Sequence, residues 1–303
     1  MVRNLDLTTP RGILFGWLAA VFGFTTGLLL AVGGQGFGAL LGGCGWIGIS
    51  TPLGRQVWAL VNQPALNFAS EPRAVGYWLG SLVLPLLAGV AALHLIPRAR
   101  TLAAELMAVH LAWGAAVVGV AWLPLLDPAD GHVARFLELA GLPSLLVWAA
   151  PSLAAIVAFP PVLRLLSLAR VARPHTGRGV RLMVVAAHLG MPCVAWALLV
   201  SFIRGGPPLA PIVALLAPLL VACAVAWFGY PPAFVHRLHE IETASWLRLL
   251  CSVLVVVALV WVAGRPLGAN TWTGLLWGEP SARNNIRPWV VVTEVWPPWP
   301  GSR

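Results

Sequence analysis

The stretch 102–123, LAAELMAVHLAWGAAVVGVAWL, decides the class of this protein. It holds one carboxylate, Glu105, and one imidazole, His110, and is otherwise apolar or small. As a helix rising about 1.5 Å per residue it reaches some 33 Å, enough to cross a hydrocarbon core of about 30 Å. Six further stretches read the same way, at about 13–32, 75–95, 142–159, 180–202, 211–228 and 246–262. The composition agrees. Of 303 residues 59% are hydrophobic and 10% charged, and the mean hydropathy is +0.85. A soluble domain is nearer one quarter charged, so an ordinary enzyme in water is excluded, as are disordered and disulfide-stapled secreted chains. The predicted fold is all-α: a polytopic membrane helical bundle of about seven spans over residues 1–264, followed by an extramembrane tail, 265–303.

Between spans the sequence is uneven. Arg3 and Arg11 precede the first span, which reads as a retained signal-anchor. Residues 33–50 carry eight glycines, a composition that disfavours helix by about 1 kcal/mol per glycine and predicts a loop or re-entrant segment. Residues 51–68, with Leu53, Val57, Leu60 and Val61 at helical spacing, predict a short helix along the membrane surface. Pro160 and Pro161 are expected to end the fourth span, because proline lacks the N–H that a helix needs. After 262 the chain turns rich in Trp and Pro, and its segment WVVVTEVW (289–296) is rich in strand formers.

Charge sets the orientation. All 19 basic residues are arginine, scattered singly between spans. They form no basic cluster, so the net charge of +9 does not point to nucleic acid. With the N-terminus inside, eleven fall on the inner side (Arg3, Arg11, Arg98, Arg100, Arg164, Arg170, Arg173, Arg178, Arg181, Arg237, Arg248) and eight outside. That asymmetry predicts N-in and C-out, and the expected setting is the inner (plasma) membrane of a bacterium. Trp78, Trp122, Trp148 and Trp261 fall near predicted outer ends, and Trp17, Trp227 and Trp246 near inner ones, as indoles at headgroup level do.

Few residues can carry chemistry. No CxxC, P-loop, GxSxG or HExxH motif occurs, and Cys193, Cys223 and Cys251 read as small apolar residues within spans. His94, His110 and His188 lie inside spans, where a polar group needs a partner or a purpose. Counting from Arg100 and Arg181 places His110 and His188 at similar depths in the inner leaflet, on helices running in the same direction. Three readings follow: structural histidines, axial ligands of a haem b, or a proton or substrate relay. Glu105, one turn after Thr101, reads as a solvated helix start. In the inner loop, His236, His239 and Glu240 of HRLHE could share a helix face and hold a metal, although a solvated amphipathic segment is the simpler reading. The tail's Trp272, Trp277, Trp289, Trp296 and Trp299 are expected to form a contact surface for headgroups or protein partners.

The expected function is therefore an integral membrane protein without catalysis of its own, either a subunit of a larger membrane complex or a transporter-like bundle. A haem b protein using His110 and His188, and a metalloenzyme using His236, His239 and Glu240, are the alternatives. Expected partners are the lipid bilayer and proteins at the outer face.

Overall fold

The structure is a computed structural model and describes residues 6–42, 45–50, 59–62, 75–95, 101–125, 132–172, 177–203, 209–229, 243–263, 274–276 and 295–296. Helix α1 (Pro10–Leu41) is followed by strands β1 (Gly45–Ser50) and β2 (Ala59–Asn62). Next come α2 (Val75–Leu95) and α3 (Leu102–Gly114), the latter prolonged by a π-helical stretch, Ala115–Trp122. A short α4 (His132–Leu139) and a 3-10 segment (Ser144–Ala149) lead into α5 (Ala150–Ala172). Helices α6 (Arg178–Val185) and α7 (Met191–Ile203) are joined through a π turn, Ala186–Gly190. Helices α8 (Leu209–Ala214), α9 (Leu216–Phe228) and α10 (Thr243–Ala263), with strands β3 (Gly274–Leu276) and β4 (Val295–Trp296), complete the described chain.

Five helical segments are long and apolar enough to cross a membrane: Pro10–Leu41, Val75–Leu95, Leu102–Leu125, Ser144–Ala169 and Arg178–Leu199. Two shorter apolar helices, Ile212–Phe228 and Trp246–Leu259, fall where the sixth and seventh spans were expected. The protein is an integral, multi-pass membrane protein on this ground, and large side chains such as Leu145, Ile156, Leu220 and Leu254 face outward, where lipid can cover them.

Helix α1 is the axis of the bundle and corrects the first expectation. Residues 33–41 are helix, not loop, and the chain enters β1 at Gly45. The reason is packing. At 100° per residue Gly16, Gly23, Gly27, Gly34 and Gly38 all fall within about 40° of one line down α1. A Cβ at Gly23 would strike the His110 backbone, and one at Gly27 the Gly114 backbone. Gly34 lies against Gly80, and Gly38 against Gly76, each such that a methyl group would overlap the opposing carbonyl. The propensity lost at each glycine is offset by backbone-to-backbone contact with α2 and α3. Gly36 points the other way and receives the Trp46 ring of β1.

Thr9 caps α1, its hydroxyl accepting from the Gly12 N–H at 3.2 Å, and Pro10 opens the first turn. At the end of α4, Gly141 has φ +67°, and the Gly141 and Leu142 N–H groups reach back to the carbonyls of Glu138 and Leu137. That is a Schellman end, which glycine occupies without strain.

Two other expectations change. The surface helix over 51–68 is overturned at Ala59–Asn62, which is strand; the rest of that stretch lies outside the described residues. Strand β2 pairs antiparallel with β1 (Trp46↔Val61, Ile49↔Ala59), so non-local pairing overrides the local helical spacing. Nor do Pro160 and Pro161 end the fourth span: α5 runs through both to Ala172. Val162, Leu165 and Leu166 beyond them are buried in the main core, and such packing holds a proline-bearing helix together in a membrane.

The tail returns to the bundle. Strand β3 pairs with β1 (Gly48↔Leu276) and β4 with β2 (Val61↔Trp296), giving a sheet of order β3-β1-β2-β4 beside a bundle that is otherwise helical. The β-rich segment expected over 289–296 is thus strand at Val295–Trp296, and its other residues lie outside the described set.

Candidate functional site

The polar interior of the bundle gathers around the first half of α1. His110 projects from α3 and is completely buried. Neither of its ring nitrogens has a hydrogen-bond partner among the described residues. His188 sits in the π turn between α6 and α7, also completely buried. Its Nε2 lies 2.8 Å from the Leu7 carbonyl oxygen, which fixes the tautomer: Nε2–H donates and Nδ1 keeps its lone pair. Both histidines lie along α1: the His188 ring on Gly16 and the His110 backbone on Gly23, seven residues or about 10 Å further along that helix. Long side chains lean toward a helix's own N-terminus, which carries the His110 ring from Gly23 toward Gly16.

The π turn explains how His188 is held. Met191 N–H bonds Ala186 O rather than Ala187 O. The displaced carbonyl of Ala187 accepts from the Trp17 indole N–H at 2.9 Å. Extra-wide helical turns of this kind are often found at functional sites.

A haem between the two histidines fits this geometry poorly. An axial ligand needs a free ring nitrogen with room for the macrocycle. At His188, Nε2 is engaged by Leu7, and Nδ1 lies so close to Gly16 that a methyl group there would overlap it.

Glu105 is a further correction. It is not a solvated helix start: it is 1% exposed, and its Oε1 lies 2.7 Å from Nη2 of Arg164. Because α5 continues past Pro160 and Pro161, it carries Arg164 alongside α3. Arg164 is 17% exposed. His94, by contrast, is exposed, with its Nδ1 2.9 Å from the Val90 carbonyl of its own helix.

Several residues of this region carried no signal in sequence. Arg181 is buried and donates to the Gly229 carbonyl at 2.8 Å, closing the C-terminal end of α9. Gln35 and Ser81 are buried polar groups facing the α1–α2 contact region. Trp78 and Trp122 are buried within the bundle, and Trp122 meets Trp196 edge-on at 4.5 Å between centroids. The Arg11 guanidinium lies over the Trp246 ring (5.6 Å) and that of Arg178 over the Trp227 ring (5.5 Å), cation–π contacts. Cys193 is buried as expected, whereas Cys223 and Cys251 are exposed.

Among the described residues no three His, Cys, Asp or Glu side chains gather as a metal site. His236, His239 and Glu240 lie outside the described residues, as do Trp272, Trp277, Trp289 and Trp299; of Trp296 only the backbone pairing in β4 is described. Comparison of the chain with protein-family models, with curated proteins and with solved structures finds no match, so its function has to be argued from these residues.

Proposed function

We propose that the chain is a seven-span, N-in/C-out membrane protein of transporter-like design in which His110 and His188 pass protons through the bundle interior. The observation that carries this is His110 itself, an ionisable side chain buried completely in a membrane bundle with both nitrogens unpartnered among the described residues. Burial without a hydrogen bond costs roughly 1–3 kcal/mol, so a purely structural role leaves the residue unexplained. A neutral imidazole has one N–H and one lone pair, the two functions a relay needs. His188 Nδ1 likewise has no hydrogen-bond partner among the described residues, packed as it is against Gly16.

The seven-span topology rests on the sheet. Strands β1 and β2 follow α1, β3 and β4 follow α10, and all four join in one sheet, so α1 and α10 end on one side. That supports an odd number of crossings, with α2, α3, α5, α6–α7 and α9 as the five between. The arginine asymmetry supports N-in, and a bacterial inner membrane is the setting proposed for it.

The test is reconstitution into phosphatidylcholine vesicles with a trapped pH-sensitive dye. After a pH jump the wild-type protein should dissipate the gradient, and His110→Ala and His188→Ala should slow that by at least about tenfold, a modest part of what a positioned proton-transfer group contributes. Equal rates from variants with unchanged thermal unfolding would assign the histidines a structural role.

A second reading, a subunit docked through its outer face, draws on the sheet's two short edges, β3 and β4, and on the tail's Trp272, Trp277, Trp289, Trp296 and Trp299. Partners that still co-purify after truncation beyond Gly264 would argue against it.

A further inference from the structure

The relay does not use a second feature of the bundle, an open cavity of about 880 Å³ between α2, α3 and α10. Its size falls within the roughly 300–1,000 Å³ of ligand sites. Phe22 of α1 forms part of its wall, and Ala88, Ala91 and Ala108 keep it deep. Along α3 it extends from Thr101 to Leu111. Ten residues of helix span about 15 Å, half of a hydrocarbon core and so the depth of one leaflet. The polar groups sit at one end. Thr101 caps the start of α3, and Arg248 and Ser252 lie in the early turns of α10. The other end, at Leu111, is apolar.

Arg248 is exposed, and no described carboxylate pairs with it. The hydroxyl of Thr101 accepts from the Ala104 N–H, which leaves its own O–H to donate. The Ser252 hydroxyl is committed to the Arg248 carbonyl. The rim thus offers a guanidinium and a hydroxyl donor above a slot one acyl chain deep. Guanidinium presents a fork of N–H groups matched to phosphate oxygens.

We infer that this groove holds an acidic phospholipid of the leaflet in which α1 begins, with one acyl chain against Ala91 and Ala108 and its phosphate on Arg248. The inference needs the chain to cross the membrane and is independent of the proton relay.

The test uses the full chain, exchanged into detergent from vesicles of equal parts phosphatidylglycerol and phosphatidylcholine, with retained lipids weighed by native mass spectrometry. One phosphatidylglycerol should stay bound in preference to phosphatidylcholine. Arg248→Gln should cut that preference by about tenfold, the scale of one charge-assisted contact. Ala91→Phe fills the slot from an exposed position and should abolish retention of both lipids while thermal unfolding stays in place. Equal retention of the two lipids by the wild-type chain, or an unchanged preference in Arg248→Gln, would overturn the inference. A dimeric mass without retained lipid would also overturn it, assigning the groove to a second copy of the chain.

Discussion

Gly33 and Gly34 are neighbours in one helix, and the structure predicts opposite outcomes for the same substitution. A Cβ at Gly33 meets nothing closer than Leu84 Cδ2 at 4.0 Å. Gly33→Ala therefore gains helix propensity without a clash and should stabilise the protein by about 0.5–1 kcal/mol. A Cβ at Gly34 would overlap the carbonyl oxygen of Gly80 and crowd Leu84 Cβ. Carbon and oxygen settle no closer than about 3.3 Å, so α1 and α2 must part by on the order of 1 Å. That separation also disturbs the Gly38–Gly76 contact one turn further on. Overpacking costs about 1–3 kcal/mol, and the propensity gain offsets only part of it. Gly34→Ala should be destabilising by about 1–2 kcal/mol net, and the two variants should differ by roughly 2–3 kcal/mol. Denaturant unfolding in one detergent, followed by tryptophan fluorescence and circular dichroism, reads the difference. Shifts of the same sign at both positions would refute the close α1–α2 crossing.

Other substitutions probe separate contacts. Arg164→Met leaves the buried Glu105 carboxylate without its cation and should destabilise by about 3–5 kcal/mol. Glu105→Gln should cost less, because Arg164 is less buried than Glu105, and the double variant Glu105→Met/Arg164→Met should recover most of the loss in a double-mutant cycle. Trp17→Phe removes the donor to the Ala187 carbonyl; a loss of about 1–2 kcal/mol in the same unfolding assay is expected. Gly141→Ala forces a side chain into left-handed backbone and should cost about 1–2 kcal/mol, read as a lower unfolding midpoint.

Hydropathy alone located every long helix, because the requirement that backbone polar groups be satisfied in lipid leaves little else for a long apolar stretch to be. Composition misled where geometry mattered. Eight glycines over 33–50 resemble a loop by propensity, yet Gly34 and Gly38 continue the line begun by Gly16, Gly23 and Gly27. That spacing was present in the sequence and is a packing signal, not a breaking one. Pro160 and Pro161 misled for a related reason: their cost is local, whereas the burial of Val162, Leu165 and Leu166 comes from neighbouring helices. The partner of Glu105 was illegible, since no local pattern places residue 164 beside residue 105. The presence of His110 and His188 inside helices was legible, because the apolar stretches around them could be read directly. What covers them, a Leu7 carbonyl and the backbone of two α1 glycines, depends on three helices meeting.

The odd number of crossings underlies the proposed topology, with the two ends of the chain on opposite sides of the membrane. Compartment-specific reporters fused in turn to each end of the chain test it directly. The predicted result is activity of the cytoplasmic reporter at the N-terminal end and of the external reporter at the C-terminal end. Both ends reporting from one compartment would contradict the seven-span topology.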